Sequence, residues 1–201
     1  MASAATTHLL YLHGFRSSPR SAKARRMAGE VERLRAEGRA PVWRCPQLPA
    51  SPAEAVALAE ALTAGWPRET TAVMGSSLGG FYATVLAERH GWRAVLLNPA
   101  VEPARDLAAQ IGVQVAWHDP GLRISFTAAH VEELRSLRPP ALHGLARTYA
   151  VIAQGDEVLD AREMAARYAG APGRLIPGGD HALTTDFEAE LPDILRFLGL
   201  G

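Results

Sequence analysis

The sequence predicts an α/β fold, a doubly wound, mostly parallel sheet of about six strands with flanking helices. Three observations predict it. Short, continuous apolar runs recur along the chain, as strands covered on both faces do. Segments with apolar residues at helical spacing separate those runs, which implies crossover connections and parallel pairing. The 201 residues suffice for one such domain with a substantial core.

Leu9-Leu10-Tyr11-Leu12 reads as a buried strand ended by His13-Gly14. Ser18 is placed to cap a helix with Pro19 at its first position. Met27, Val31 and Leu34 repeat at helical spacing, and Gly38 stops that helix. Residues 41–45 form a less apolar strand, expected at a sheet edge. Ser51-Pro52 starts a second helix, with Ala55, Leu58, Ala59 and Leu62 as its expected buried face. Residues 71–74 are a third strand and 78–90 a helix apolar on most sides, ended by Gly91. The strand at 94–97 is broken by Asn98-Pro99. A strand at 148–153, a helix at 160–168, a strand at 174–176 and a final helix carrying Leu191, Ile194, Leu195 and Leu198 complete the alternation. Pro192 starts or kinks that last helix.

Residues 101–147 break the pattern. They hold Pro103, Pro120, Pro139 and Pro140, the aromatics Trp117 and Phe126, and a helix expected at 128–137. The reading is a single domain over residues 1–201 with 101–147 as a cap insertion, since a long insertion after a strand end is placed to cover a site. A purely structural excursion is the alternative.

Apolar residues make up 48% and charged residues 21%, and 21 Lys+Arg balance 21 Asp+Glu. This balance exerts no general pull toward nucleic acid or an anionic membrane. Arginine outnumbers lysine twenty to one. The single cysteine, Cys45, cannot form an internal disulfide. The N-terminal Met-Ala-Ser-Ala-Ala-Thr-Thr-His has no basic region, and the apolar run after it is too short for a signal peptide; a cytoplasmic location is the expectation. Neither an HExxH nor a paired Cys-x-x-Cys is present, so no metal site is expected.

The chemistry centres on Gly75-x-Ser77-x-Gly79, between a strand and a helix. A sharp strand-to-helix turn lifts such a serine above the sheet, and side chains on either side of it would collide. No Lys follows the glycines, which excludes the P-loop alternative. A serine hydroxyl needs a base, and the base needs a carboxylate, in the chain order Ser, Asp or Glu, His. His181, in the loop after the last strand, is the expected base. His90 reads as a helix C-terminal cation, and His118, His130 and His143 lie in the insertion. Asp156 follows the fifth strand and is the expected acid. Asp160 and Glu163 look like a capping-box pair. Backbone amides of Leu78 and Phe15 are the expected oxyanion donors. Arg16, Arg20, Lys23, Arg25 and Arg26 cluster nearby, as a solvated helix face or as a guide for anionic acyl substrates.

The segments 9–15, 75–80, Asn98-Pro99-Ala100-Val101, 154–160 and 178–181 together resemble the YqiA family of small bacterial α/β-hydrolase esterases. The resemblance implies an α/β-hydrolase fold, carboxylic-ester hydrolysis with extension to thioesters, no cofactor, and catalytic positions at Ser77, Asp156 and His181. The implied partner is a small-molecule acyl ester or thioester, with neither nucleic acid nor membrane. An acyl-CoA thioesterase on the same triad and a non-catalytic acyl-ligand binder are the alternatives.

Overall fold

The chain is described from a computed structural model covering residues 5–201. The N-terminal segment considered for a signal peptide lies partly outside the described residues. In chain order the elements are β1 (His8–Leu12), α1 (Ala22–Ala36), β2 (Val42–Arg44), α2 (Pro52–Leu62), β3 (Thr71–Ser76), α3 (Leu78–His90) and β4 (Arg93–Leu97). There follow α4 (Pro103–Asp106), β5 (Gly112–Ala116), β6 (Asp119–Phe126) and α5 (Ala128–Leu137). Then come β7 (Thr148–Ala153), α6 (Ala161–Arg167), β8 (Gly173–Ile176) and α7 (Phe187–Phe197).

Among the described residues, six strands pair in the order β2-β1-β3-β4-β7-β8, every pair parallel. Strand alternation splits the apolar residues into two cores. Leu10, Leu12, Val73, Leu96 and Ile152 pack on one face with residues of α2, α3 and α6. Leu9, Tyr11, Met74, Leu97 and Val151 pack on the other with α1 and α7. Both faces being covered explains why the strand sequences are apolar without alternation. The chain leaves β1 for one side of the sheet and β3 for the other, a switch point that opens a crevice at the strands' carboxyl ends.

Several local readings need correction. Ser18 does not cap α1: its Oγ accepts from the Arg20 amide, and its carbonyl accepts from the Ser21 amide, a separate turn that delays the helix to Ala22. Ser51 does cap α2, but the buried stripe runs through Ala55, Val56 and Ala59; Leu62 is exposed because the helix ends there. Asp160 caps α6, whereas Glu163 turns away to a bidentate pair with Arg105. Of the two positions open for Pro192, the structure has the one inside α7 and not the one at its start.

The stretch from 101 to 147 contains the expected α5, capped by Thr127. It also contains an unexpected antiparallel hairpin, β5–β6, forming its own two-stranded sheet. Val113 and Val115 on one strand and Leu122, Ile124 and Phe126 on the other have the period of two that marks strands. The connecting Trp117-His118 lacks an Asn-Gly or Asp-Gly signal, and the register shifts at Val115/Ala116, which hid the pairing.

Candidate active site

Ser77 joins β3 to α3 at φ 58°, ψ −123°, a conformation costly for a residue with a Cβ. The surroundings enforce it. Its amide donates to the Leu97 carbonyl (3.0 Å), and its carbonyl accepts from the amides of Gly80 and Ala100. A Cβ on Gly75 would overlap the Gly79 carbonyl, and one on Gly79 would overlap the Leu12 carbonyl. The glycines are therefore needed for close backbone approach, not only for flexibility. At Gly14 a Cβ would lie 3.2 Å from the Ser77 Cβ, so the Gly14-Phe15 loop sits directly against the serine.

The loops after β7 and β8 pack backbone to backbone. Gln154 and Gly155 donate to the carbonyls of Ile176 and Gly178. This pairing sets Asp156 beside His181: His181 Nδ1 donates to Asp156 Oδ2 at 2.7 Å. The Asp156 side chain is fully buried and that of His181 is 20% exposed. Asp156 Oδ1 accepts from the Val158 and Leu159 amides, both at 2.8 Å, so the carboxylate is oriented at both oxygens. Burial opposes its charge, but the hydrogen bonds from His181, Leu159 and Val158 outweigh burial and hold its pKa below the ordinary carboxylate value.

Two residues not singled out for a role of their own also fix the imidazole. Glu157 accepts from the His181 amide (2.9 Å). Asn98, fully buried at φ 41°, donates through Nδ2 to the carbonyls of Asp180 and His181 (both 3.1 Å) and accepts at Oδ1 from the Ala153 amide. Asn98 thus ties the end of β4 to the end of β7 and to the His181 loop. The available signal was a polar residue before proline at the end of an apolar strand.

Ser77 and His181 line one cavity of about 490 Å³ with Gly14, Phe15, Leu78 and Trp117. No hydrogen bond joins Ser77 Oγ to His181. The Leu78 amide is the first of α3 and has no intrahelical acceptor. His13 is buried; its Nε2 accepts from the Leu48 amide, so the proton is on Nδ1, which donates to the Gly14 carbonyl. Burial lowers its pKa. It is a neutral strut under the Gly14-Phe15 loop rather than a base. His90 stacks on Trp92 at 4.5 Å and meets Glu60, at the far end of α3. His130 closes the capping box of α5. The basic cluster divides: Arg26 pairs with Glu30 and Glu188, Arg16 turns to β5, and Lys23 lines the cavity.

A model of the uncharacterised protein family UPF0227 matches residues 8–199. The chain belongs to that family. UPF0227 is the YqiA-like family that the motifs resemble. Solved structures share its α/β-hydrolase fold. Alpha/beta hydrolase domain-containing protein 10 from mouse superposes with TM-score 0.70 at 14% identity, over 96% of this chain and 90% of that one. Est1E from Butyrivibrio proteoclasticus, with ferulic acid bound, gives 0.67 at 16% over 96% and 88%. A monoacylglycerol lipase from Paleococcus ferrophilus gives 0.64 at 14% over 98% and 97%. No helix of the described residues is long and apolar enough to cross a membrane.

Proposed function

We propose that this UPF0227 member is a serine carboxylesterase acting on small to medium acyl esters, with Ser77 as nucleophile, His181 as base and Asp156 as its orienting acid. The observation that carries this reading is the 2.7 Å bond from His181 Nδ1 to a buried, doubly anchored Asp156, at the rim of the cavity that also holds the strained Ser77. Because Nδ1 donates to Asp156, Nε2 is left as the acceptor for a serine proton. The Ser77–His181 contact tightens on substrate binding, as such bonds commonly do in unliganded enzymes.

Ser77 Oγ attacks the ester carbonyl as His181 takes its proton, and Asp156 stabilises the imidazolium. The amides of Leu78 and Phe15 receive the oxyanion. His181 then protonates the leaving alcohol, and water repeats the sequence on the acyl-enzyme. Residues 101–147 act as a cap insertion on this single domain: Pro103, Leu107, Gln110 and Trp117 supply part of the cavity lining. Solved neighbours named as an esterase and a lipase support the reaction class.

Treatment with a fluorophosphonate followed by peptide mapping tests the reading. One adduct at Ser77, absent from Ser77→Ala, is expected; a non-catalytic binder would give none. Specificity constants for matched oxygen esters and acyl-CoA thioesters separate the esterase from the thioesterase alternative.

A further inference from the structure

The cavity over Ser77 has two unlike walls. Phe15, Leu78, Pro103, Leu107, Val158 and Leu159 make an apolar one. Tyr11 and the start of α1, with Ser21 and Lys23, make a polar one.

Three features of the polar wall bear on what it could bind. The Tyr11 side chain is fully buried, yet its Oη makes no hydrogen bond of ordinary geometry; the Ser21 hydroxyl is the polar group closest to serving it. Such an orphaned hydroxyl is costly unless something else satisfies it. Next, α1 has no acidic residue in its first turn and no side-chain cap, so the amides at its start are free for an anion. Finally, Lys23 is the only lysine in a chain with twenty arginines. The one place where a compact ammonium stands in for the fork of a guanidinium is against this cavity.

Lys23 Nζ donates to the Ala182 carbonyl at 2.5 Å, which leaves two of its three N–H groups. It forms no ion pair among the described residues. Asp180 is occupied by the Thr184 amide and hydroxyl, and Asp156 by His181 and two amides. Burial pushes the ammonium down to about 8, while the fields of Asp180 and Asp156 oppose that fall, so it is mostly charged at neutral pH. On the other wall Asp106 is held by Arg105.

We propose that Ser21, Lys23 and the first amides of α1, with the buried Tyr11 hydroxyl behind Ser21, form a carboxylate-binding subsite, so that the preferred substrates are esters bearing a free carboxylate close to the scissile bond. This deepens the esterase reading and rests on it for the word substrate. A monoanion suits the site better than a phosphate dianion, because one ammonium and a helix end face two nearby carboxylates, Asp156 and Asp180.

Two measurements test the subsite. The first compares kcat/KM for monoethyl glutarate with that for ethyl pentanoate. A second arm moves the carboxylate to the alcohol side, using 3-(butanoyloxy)propanoate against propyl butanoate. In at least one arm the acid is expected to be preferred, and the preference to fall about tenfold in Lys23→Gln, the order of a charge-assisted hydrogen bond. Tyr11→Phe should lower it by about threefold. If Lys23 only holds the His181 loop through Ala182, acidic and neutral esters fall together and the ratio stays put, which overturns the subsite. The second measurement needs no turnover: acetylation of Lys23 by N-hydroxysuccinimidyl acetate, followed by peptide mapping. Pentanoate should slow labelling of native chain and of Ser77→Ala, and pentanamide should not. Failure of pentanoate to protect overturns the subsite, whereas protection in a chain that hydrolyses no ester would retain the subsite and remove the esterase reading.

Discussion

The parallel sheet with its helices and the outer part of the β5–β6 hairpin are held by different physics. In the sheet, Leu9, Leu10, Leu12, Met74, Leu96 and Leu97 are fully buried, and the backbone at Ser77 is wedged so closely that two glycines admit no substituent. In the hairpin, Val113 is 66% and Trp117 72% exposed. The hairpin's outer part is tied to the frame by Arg16, whose Nε donates to the Val115 carbonyl, while Phe126 at its foot is buried in the core with Val131 and Leu134 of α5. Close packing specifies one geometry, while an exposed hairpin held by few contacts is freer to move. A rigid frame for Ser77, Asp156 and His181 and a looser wall over them suit the covered site proposed above.

The sharpest way to break the comparison is at the frame's reacting atoms. Ser77→Ala is expected to lower kcat by about four to six orders of magnitude on an ester substrate, and Asp156→Asn by about four, since the amide would leave the imidazole in the wrong tautomer. Circular dichroism should show both chains folded. A Ser77→Ala chain retaining more than a few per cent of the rate would remove the serine from the mechanism.

Next in size is stability. Gly79→Ala forces a methyl into the Leu12 carbonyl and should cost about 3–5 kcal/mol in urea unfolding. Val113→Ser, on the exposed hairpin, should stay within about 0.5 kcal/mol. Equal costs would mean that the two regions are not packed differently after all.

The same contrast explains what could be read from residues alone. Leu9-Leu10-Tyr11-Leu12 and Gly75-x-Ser77-x-Gly79 were legible because burial on two faces and backbone collision each allow few residue types. The pairing of Asp156 with His181 followed from chain order, which a parallel sheet turns into proximity at one edge. The hairpin was not legible, because its turn carries no glycine signature and its outward residues are apolar. Nor was the role of Asn98, whose three hydrogen bonds all go to backbone groups far along the chain. Lys23 was hidden inside a run of arginines that, in the structure, point in different directions.

A smaller effect concerns acid. The folded-state pKa of Asp156 lies below its unfolded value of about 3.9. Its contribution to stability is therefore present above that value and is lost as pH falls through the lower, folded one. The stability difference between native chain and Asp156→Asn should be constant from pH 7 to about 5 and shrink below about 4. Urea midpoints at each pH measure it. A difference that grows on acidification would reverse the assigned shift.

The mildest perturbation lies where the two regions meet. Arg16, at φ 59°, donates from Nε to the Val115 carbonyl at 2.6 Å and lies 4.0 Å over the Trp117 ring, while its own carbonyl accepts from the Trp117 amide. Beside it the Phe15 ring meets Phe126 at 5.1 Å. The Gly14-Phe15-Arg16 loop, which carries the proposed Phe15 oxyanion donor, is thus joined to the hairpin by the Arg16 side chain, by one backbone bond and by the Phe15–Phe126 contact. Arg16→Ala keeps the backbone bond and the same positive-φ cost, so it isolates the side-chain clip. Hydrogen exchange of β5 and β6 amides should quicken several-fold while that of β3 and β4 stays constant, and kcat should fall about two- to tenfold as the oxyanion donor loosens. Faster exchange with unchanged kcat would detach the hairpin from the Phe15 amide and leave it as a wall alone; unchanged exchange would mean that the backbone bond from Trp117 suffices to hold it.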